Sequence, residues 1–225
     1  MKTHYYLSWF NDFFPEKLVK WLHEDIKDRK SLVMISAQPS GYKGEQVSID
    51  DVFERTWFNQ ANIIFDEYHL IDLRMQKEDA QRLIQNASVI FLCGGNPILQ
   101  NDFLAEYELS DVIKNSNAVI MGASAGAINM AAKWLCSKNN GYEVETSTIY
   151  DGIGFDHFAY ETHSKLDYAV LVQGNLFPLS EKIDVYAAEQ ESGMRVKDGK
   201  IDIIGNVYLI SHSKIQKLVE TFYLG

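Results

Sequence analysis

The sequence predicts an α/β protein, in which helices cover both faces of a mostly parallel sheet and an antiparallel hairpin lies near the carboxyl end. Along the first part of the chain, short apolar segments alternate with segments of helical periodicity. The segment 87–93 (ASVIFLC) is almost entirely apolar, which is typical of a strand buried on both faces of a parallel sheet. The DGK sequence at 198–200 lies between two alternating segments, and this pattern predicts the hairpin.

Each element follows from its own pattern. Pro15 opens the first helix, since proline is favoured in the first helical turn, and this helix joins two strands. The alternation repeats until a short apolar strand runs directly into the small-residue turn at 122–126. Beyond Cys136 the chain is polar and rich in turn residues, and an amphipathic segment begins at Lys214. The predicted strands are 2–9, 31–36, 68–73, 87–93 and 118–121, and the predicted helices are 15–26, 48–61, 77–85, 96–109 and the segment after 126.

The composition is that of an ordinary globular protein and argues against several functions. With 225 residues, 46% hydrophobic and 23% charged, the chain can bury one sizeable core, so we expect a single domain over 1–225. The formal charge of −10 and the lack of a basic cluster argue against a nucleic-acid partner. No segment approaches the ~18 apolar residues that cross a membrane, and the first segment lacks the apolar region of a signal peptide. We therefore expect a cytoplasmic protein with no membrane partner.

The two cysteines predict neither a disulfide framework nor a metal site. Cys93 and Cys136 are too few for a network of disulfides, and they lack the clustered spacing of zinc ligands. We expect two reduced, buried thiols, no metal and no cofactor.

The strongest candidate for chemistry is the turn Gly122-Ala123-Ser124-Ala125-Gly126. It fits G-x-S-x-G between a predicted strand and a predicted helix, which is the context of a nucleophile elbow. A serine on such a strained turn needs small neighbours, and every flanking residue here is Gly or Ala. The amide of Ala125 then becomes a candidate oxyanion donor. The same residues could instead serve close packing, with Ser124 as a helix cap.

A second candidate follows the preceding apolar strand, at Cys93-Gly94-Gly95-Asn96-Pro97. Neighbouring parallel strands end about 4.8 Å apart, so this loop is expected beside the serine. We predict the Gly95 amide as the second oxyanion donor and Asn96 as a substrate-binding residue. A plain glycine-rich turn before a helix that starts at Pro97 would have the same sequence.

A serine nucleophile needs a base, and position selects among the histidines. His4, His23 and His212 are explained as residues of the first strand, the first helix and the end of the last strand. Of the six histidines, position favours His157 and His163, both in the sequence GIGFDHFAYETHS.

Taken in order, FLCGGNP, GASAGA and a G-[IL]-G-[FL] stretch followed by acidic-x-His resemble the dipeptidase E and cyanophycinase family of serine peptidases, over roughly 31–210. The resemblance implies a flavodoxin-like or class I glutamine-amidotransferase-like fold. It also implies a Ser–His mechanism with an acyl-enzyme intermediate, no metal, and a small peptide substrate cleaved next to an acidic residue. Its histidine spacing, counted from Gly152, selects His163 over His157, with Glu161 in the acidic position. A homodimer is left open.

Two positions depart from the family pattern. The third triad residue of the family is commonly Glu, and ungapped matching of YAAEQES places Gln190 there, between Glu189 and Glu191. A glutamine oxygen can hold an imidazole, but without the charge that stabilises imidazolium. Gln190 and Glu191 are therefore both candidate catalytic residues, and Glu189 is open to the same role. An acidic residue that dipeptidase E members carry after the serine is replaced by KNN at 138–140.

Other assignments stay open. An esterase of the α/β-hydrolase type also carries G-x-S-x-G, although its order of residues is Ser, acid, His and its first oxyanion donor lies in an early loop. A family member that binds an acidic peptide or metabolite without turnover is the non-enzymatic alternative, because the third triad position is altered. The cations that could bind a substrate carboxylate are Lys43, Arg55, Lys165 and Arg195.

Overall fold

The computed structural model describes residues 2–41, 45, 47–138, 144–218 and 222–223, and within them the strands form two sheets. Numbered along the chain, the strands are β1 Thr3–Leu7, β2 Ser31–Ala37, β3 Glu67–Ile71, β4 Val89–Gly95, β5 Val119–Ala123, β6 Lys133–Cys136, β7 Thr148–Asp151, β8 Ala159–Glu161, β9 Val185–Ala188, β10 Gly193–Lys197, β11 Lys200–Ile204, β12 Val207–Ser211, β13 Lys214–Leu218 and β14 Phe222–Tyr223. The eight-stranded sheet has the order β14-β11-β10-β1-β5-β4-β2-β3, and the six-stranded sheet has the order β13-β12-β9-β8-β6-β7.

The eight-stranded sheet is parallel over most of its width. The run β1-β5-β4-β2-β3 is parallel, and β10, β11 and β14 extend it in antiparallel pairs. Asp198 and Gly199 form the turn between β10 and β11 with φ of 55° and 73°, the positive values that a two-residue hairpin turn requires. The predicted α/β fold and its carboxyl-terminal hairpin are confirmed.

Helices cover both faces of this sheet, because successive side chains of a strand point to opposite faces. The helices are α1 Glu16–Asp25, α2 Phe53–Gln60, α3 Lys77–Gln85, α4 Pro97–Glu106, α5 Leu109–Asn115, α6 Ala125–Met130 and α7 Leu176–Ser180, with a 3-10 turn at Ile49–Asp51 and a π-helical turn at Ala169–Gln173. In β2, Leu32 and Met34 pack with residues of α1 and α2, whereas Val33 and Ile35 pack with residues of α3 to α6. No helix in the described part of the chain is long and apolar enough to span a bilayer.

Three predicted helices are shorter than their sequence patterns indicate. The segment 48–61 is interrupted at Val52, whose extended backbone separates the 3-10 turn from α2. The segment 96–109 holds α4 and the start of α5, which are separated by a positive φ of 52° at Glu108. The helix after the small-residue turn ends at Met130, because the chain then enters β6, which pairs with β7 and β8.

The sequence does not predict the six-stranded sheet, whose strands are short and lie in the turn-rich second half of the chain. Helix α6 contacts β4 and β5 on one side and β6 and β8 on the other, so it lies between the sheets. One core cluster contains Tyr6 and Ile35 from the eight-stranded sheet with Tyr160 and Tyr186 from the six-stranded sheet. The two sheets therefore share a core, and residues that follow β8 and β9 can reach the end of β5.

Candidate active site

Ser124 lies on the turn between β5 and α6. Its φ of 49° and ψ of −115° form a combination that residues other than glycine rarely adopt. Its N–H lies 3.0 Å from Leu7 O and 2.8 Å from Ser8 O, so the end of β1 holds this strained backbone. Ser124 makes no side-chain capping bond to α6, and it lines a cleft instead. The geometry therefore leaves its hydroxyl available for another role.

Close packing around the turn requires Gly122 and Gly126. A Cβ at Gly122 would lie 2.6 Å from the carbonyl carbon of Gly126, and a Cβ at Gly126 would lie 2.0 Å from Leu92 O on β4. Both separations are far below van der Waals contact. The glycines therefore serve the packing of α6 against the sheet, which in turn holds Ser124 at the end of β5.

The structure brings His163 to Ser124. His163 Nε2 lies 2.9 Å from Ser124 Oγ, and it accepts from the serine hydroxyl when the neutral imidazole carries its proton on Nδ1, the tautomer that the contact with Gln190 Oε1 favours. His163 follows β8 with a positive φ of 55°. His157, the other candidate base, lies exposed in the loop before β8. A nucleophile and a base at hydrogen-bond distance are the minimum for nucleophilic catalysis.

Gln190 holds the second imidazole nitrogen. His163 Nδ1 donates to Gln190 Oε1 at 2.8 Å, and Gln190 Nε2 donates to Asn11 Oδ1 at 3.2 Å. The bond to Asn11 fixes which end of the amide faces the histidine, because an amide nitrogen can only donate. The position selected by ungapped matching is therefore the one that contacts the imidazole.

The neighbouring carboxylates have other partners, which corrects the expectation that Glu191 could orient the imidazole. Glu191 has a φ of 58°, and its carboxylate accepts the Asn11 N–H at 2.8 Å. Glu189 accepts from Asn206 Nδ2 at 2.7 Å and from Tyr208 OH at 2.9 Å. The carboxylates on either side of Gln190 are thus bound to other groups, in the turn that follows β9.

Ser8 contacts His163 and is absent from the sequence-based candidates. Ser8 is fully buried, and its hydroxyl oxygen accepts from the backbone N–H of His163 at 3.0 Å. The same oxygen lies 3.3 Å from Nδ1 of the imidazole. Ser8 directly follows β1, which is the parallel neighbour of β5. The sequence did carry a signal for this contact, because Ser8 is a polar residue directly after a strand that ends beside Ser124. Two neutral oxygens, from Ser8 and Gln190, therefore surround the Nδ1 side of the ring.

The environment of His163 favours its neutral form. Although part of the residue is exposed, desolvation of the ring lowers the pKa of His163 below its ordinary value, and the Gln190 hydrogen bond opposes this shift. A neutral imidazole can take the proton of the Ser124 hydroxyl. The geometry thus leaves a neutral imidazole as a proton acceptor beside the Ser124 hydroxyl.

The candidate oxyanion loop ends β4. Gly95 has a φ of 139°, a conformation open almost exclusively to glycine, and Ala125 begins α6 directly after Ser124. Asn96 caps α4, since its Oδ1 accepts from the N–H groups of Ile98 and Leu99. The Asn96 oxygen is therefore occupied, which limits its predicted substrate contact to its amide nitrogen.

A cleft of about 270 Å³ opens at the Ser124 hydroxyl. Glu161 lines it, and burial raises the pKa of this carboxyl to about 8. Cys136, a free and buried thiol, lines the cleft as well. Burial is the larger cause that raises the pKa of this thiol, and the nearby Glu161 carboxyl is the smaller one. The other lining residues are Pro97, Ile128, Trp134, Leu135, Thr162, His163 and Ser164.

Of the cations considered from the sequence, Arg55, Lys165 and Arg195 are described, and none of them lines this cleft. Arg195 bonds to Asp202 and Asp25, and Arg55 pairs with Asp50. Lys43, Asn139 and Asn140 lie outside the described residues. Among the residues that are described, no group of three or more His, Cys, Asp or Glu side chains is placed to hold a metal ion.

The model of one known protein family matches most of the chain. The model for peptidase family S51 matches residues 47–204, which include Ser124, His163 and Gln190. The chain belongs to peptidase family S51. This confirms the resemblance drawn from the sequence motifs, and the protein is a peptidase of the serine type. A comparison with curated protein sequences gave no significant match.

Solved structures share the fold of this peptidase. A peptidase from an acI-B1 actinobacterium superposes with a TM-score of 0.72 at 16% identity, covering 100% of this chain and 97% of the other. A Listeria monocytogenes EGD-e protein, provisionally assigned to peptidase E, superposes with a TM-score of 0.60 at 14% identity, covering 97% and 100%. At these identities the likeness establishes the flavodoxin-like fold.

Proposed function

We propose that this peptidase hydrolyses small peptides through an acyl-enzyme intermediate on Ser124. The observation that carries the proposal is the chain of hydrogen bonds from Ser124 Oγ through His163 to Gln190 Oε1. Ser124 Oγ attacks the scissile carbonyl carbon while its proton passes to His163 Nε2. His163 then protonates the leaving amine, and the acyl group remains on Ser124 as an ester.

The second half of the reaction uses the same groups. His163 takes a proton from a water molecule, which attacks the ester carbonyl and releases the acid and the Ser124 hydroxyl. In both steps the negative oxygen is stabilised by the amides of Ala125 and Gly95, our candidate oxyanion donors. Gln190 keeps the proton on Nδ1, so that Nε2 stays available as the acceptor. We propose the turn at Ser124 as the nucleophile elbow of this chemistry.

The charge of the cleft bears on the substrate. The family resemblance implies cleavage next to an acidic residue, and we retain that preference as part of the proposal. Glu161 and His163 are the acid and the base among the described lining residues. Because the pKa of Glu161 is raised to about 8, its carboxyl is mostly neutral at pH 7 and does not repel an acidic substrate there.

The proposal also covers the cellular compartment and the choice among the alternative functions. We propose a cytoplasmic single-domain enzyme, supported by the two free buried thiols, which suit a reducing compartment. Because the chain belongs to peptidase family S51, we prefer a peptidase to an esterase of the α/β-hydrolase type. A member that binds without turnover is supported by one observation only, the neutral Gln190 beside His163.

Replacement of Ser124 tests the proposal. A panel of Asp-X, Glu-X, isoaspartyl, Ala-X and Lys-X dipeptides identifies the best substrate. On that substrate, Ser124→Ala should lose about 10³-fold or more of kcat while keeping the native circular dichroism spectrum. A phosphonylating reagent should label the native protein at Ser124 by mass spectrometry. Full activity in Ser124→Ala would refute the mechanism, and labelling without turnover of any dipeptide would favour the binding protein.

A further inference from the structure

Two buried side chains hold the two polar ends of one peptide bond behind the candidate oxyanion loop. In the peptide that joins Cys93 to Gly94, the carbonyl accepts from Gln100 Nε2 at 3.1 Å. The N–H of the same peptide donates to Glu54 Oε1 at 2.8 Å. Gln100 is 0% exposed and Glu54 is 5% exposed, so water competes little for either bond. A peptide held at both polar ends cannot rotate about its axis.

The loop that follows needs such a restraint. Gly94 and Gly95 are consecutive glycines, and Gly95 has a φ of 139°. Glycine has the widest choice of backbone conformations, so this pair does not define by itself the direction of the Gly95 N–H. Cys93, Gly94 and Glu54 also line a second cleft of about 170 Å³, which leaves space on the Glu54 side of the loop. Trp9 packs close to Gly94, and the hydrogen bonds restrain the peptide in addition to this packing.

Glu54 is costly to keep in this place. Burial of a carboxyl is unfavourable, and it raises the pKa of Glu54, while the hydrogen bond from Gly94 opposes the shift. An apolar side chain on α2 would avoid this cost, but it would leave the Gly94 N–H without this acceptor. The bond to the loop is therefore the reason for a carboxyl at this position.

Gln100 links the loop to the helix that follows the nucleophile. Its Oε1 accepts from Asn129 Nδ2 on α6 at 3.1 Å. Asn129 Nδ2 also donates to Pro97 O at 3.0 Å, at the far end of the same loop. The β4–α4 loop and α6 are thus joined by one network of buried amides.

We propose that Glu54 and Gln100 clamp the Cys93–Gly94 peptide and so aim the Gly95 N–H at the oxyanion formed on attack by Ser124. Both are positioning residues, since neither reaches the reacting atoms. This inference rests on the proposed function, because it requires Ser124 as nucleophile and Gly95 as donor. What the clamp supplies is a hydrogen-bond acceptor on Glu54, and the charge of the carboxylate is not needed.

Three variants of Glu54 test the clamp. Glu54→Ala removes the acceptor and should lower kcat by about 10- to 10²-fold with KM within about twofold, since loss of a whole oxyanion donor costs about 10² to 10³. Glu54→Gln keeps an acceptor oxygen and should stay within about threefold of the wild-type kcat. Glu54→Asp, which is shorter by one methylene, should resemble Glu54→Ala and serves if the alanine variant does not fold. A peptide aldehyde, whose adduct with Ser124 carries the tetrahedral oxygen, should lose affinity in parallel with kcat.

The matched control is Asp72→Ala. Asp72 is a buried carboxyl that lines the same second cleft, but it pairs with Arg74 and not with the loop. Its variant should keep kcat. Unchanged kcat in folded Glu54→Ala or Glu54→Asp, or equal losses in Glu54→Gln and Glu54→Ala, would overturn the clamp. If Ser124 proves essential in those same assays, only the clamp has failed; if Ser124→Ala is active, the proposed function has failed first.

Discussion

The two sheets contribute different halves of the candidate site. The eight-stranded sheet carries Ser124 at the end of β5, Gly95 at the end of β4 and Ser8 directly after β1. The six-stranded sheet carries His163 after β8 and Gln190 after β9. The nucleophile half is therefore built by neighbouring strand ends in one sheet, whereas the base half arrives only when the second sheet packs against α6.

This difference teaches how each half is held in place. Ser124 is restrained by its own turn, where glycines without room for a Cβ fit α6 to the sheet. His163 is restrained from outside its own strand, by Ser8 from one sheet and by Gln190 from the other. A substitution in the second half should therefore act on the basicity and orientation of the imidazole, while leaving the nucleophile turn intact.

The largest effect in the second half is expected from His163→Ala. Without a base the Ser124 hydroxyl keeps its proton, so kcat/KM should fall by about 10³-fold or more, as for other residues that act as one unit with the nucleophile. His157→Ala, in the exposed loop before β8, is the control and should stay within about twofold of wild type. Hydrolysis of the best dipeptide is the measurement. A larger loss in the control than in His163→Ala would reverse the assignment of the base.

A smaller effect is expected at Gln190. A carboxylate in its place stabilises imidazolium and should raise the lowered pKa of His163. Because activity requires neutral His163, the fall of kcat/KM at low pH should move to higher pH in Gln190→Glu, with kcat equal or greater above that limb. Gln190→Ala should lower kcat by about tenfold or more, since only the longer contact with Ser8 Oγ, at 3.3 Å, then remains to select the Nδ1 tautomer.

The neighbours of Gln190 supply the controls for that experiment. Glu189→Gln and Glu191→Gln should leave both kcat and the pH profile unchanged, because their carboxylates bond to other groups. A loss of about 10⁴-fold in either one, the scale of a neutralised triad carboxylate, would show that the orienting residue lies there.

The smallest effect is expected at Glu161, on KM alone. Its pKa is raised to about 8, so the carboxyl is protonated below that pH and charged above it. KM for an acidic dipeptide should therefore rise by a few-fold as the pH passes about 8, and KM for Lys-X should fall. Glu161→Gln should abolish both changes, whereas Glu181→Gln, an exposed carboxyl distant in sequence from the cleft lining, should retain them. A pH-independent KM in the wild type would separate Glu161 from substrate binding.

Patterns that depend on neighbours in sequence were predicted well. The α/β class followed from apolar strands that alternate with helices, and β4 and α3 occupy nearly the segments expected. The small-residue turn has a partly local reason, since a Cβ at Gly122 would meet the backbone of Gly126, whereas a Cβ at Gly126 would meet Leu92 on β4. The helix ends were predicted less well. Val52 and Glu108 interrupt the helical segments through their backbone angles, which hydrophobic periodicity does not specify.

The sequence by itself determined the fold class, the small-residue turn of Ser124 and, through the order of its motifs, the family and which histidine lies beside Ser124. Tertiary structure decided the remaining contacts: that Gln190 and not Glu191 reaches the imidazole, that Ser8 supports it, and that one peptide behind Gly95 is held at both ends. The physical reason is the range of each interaction. Periodicity and turn sterics act over a few residues, whereas Ser8 and His163 are separated by 155 positions and meet only after two sheets have packed around α6.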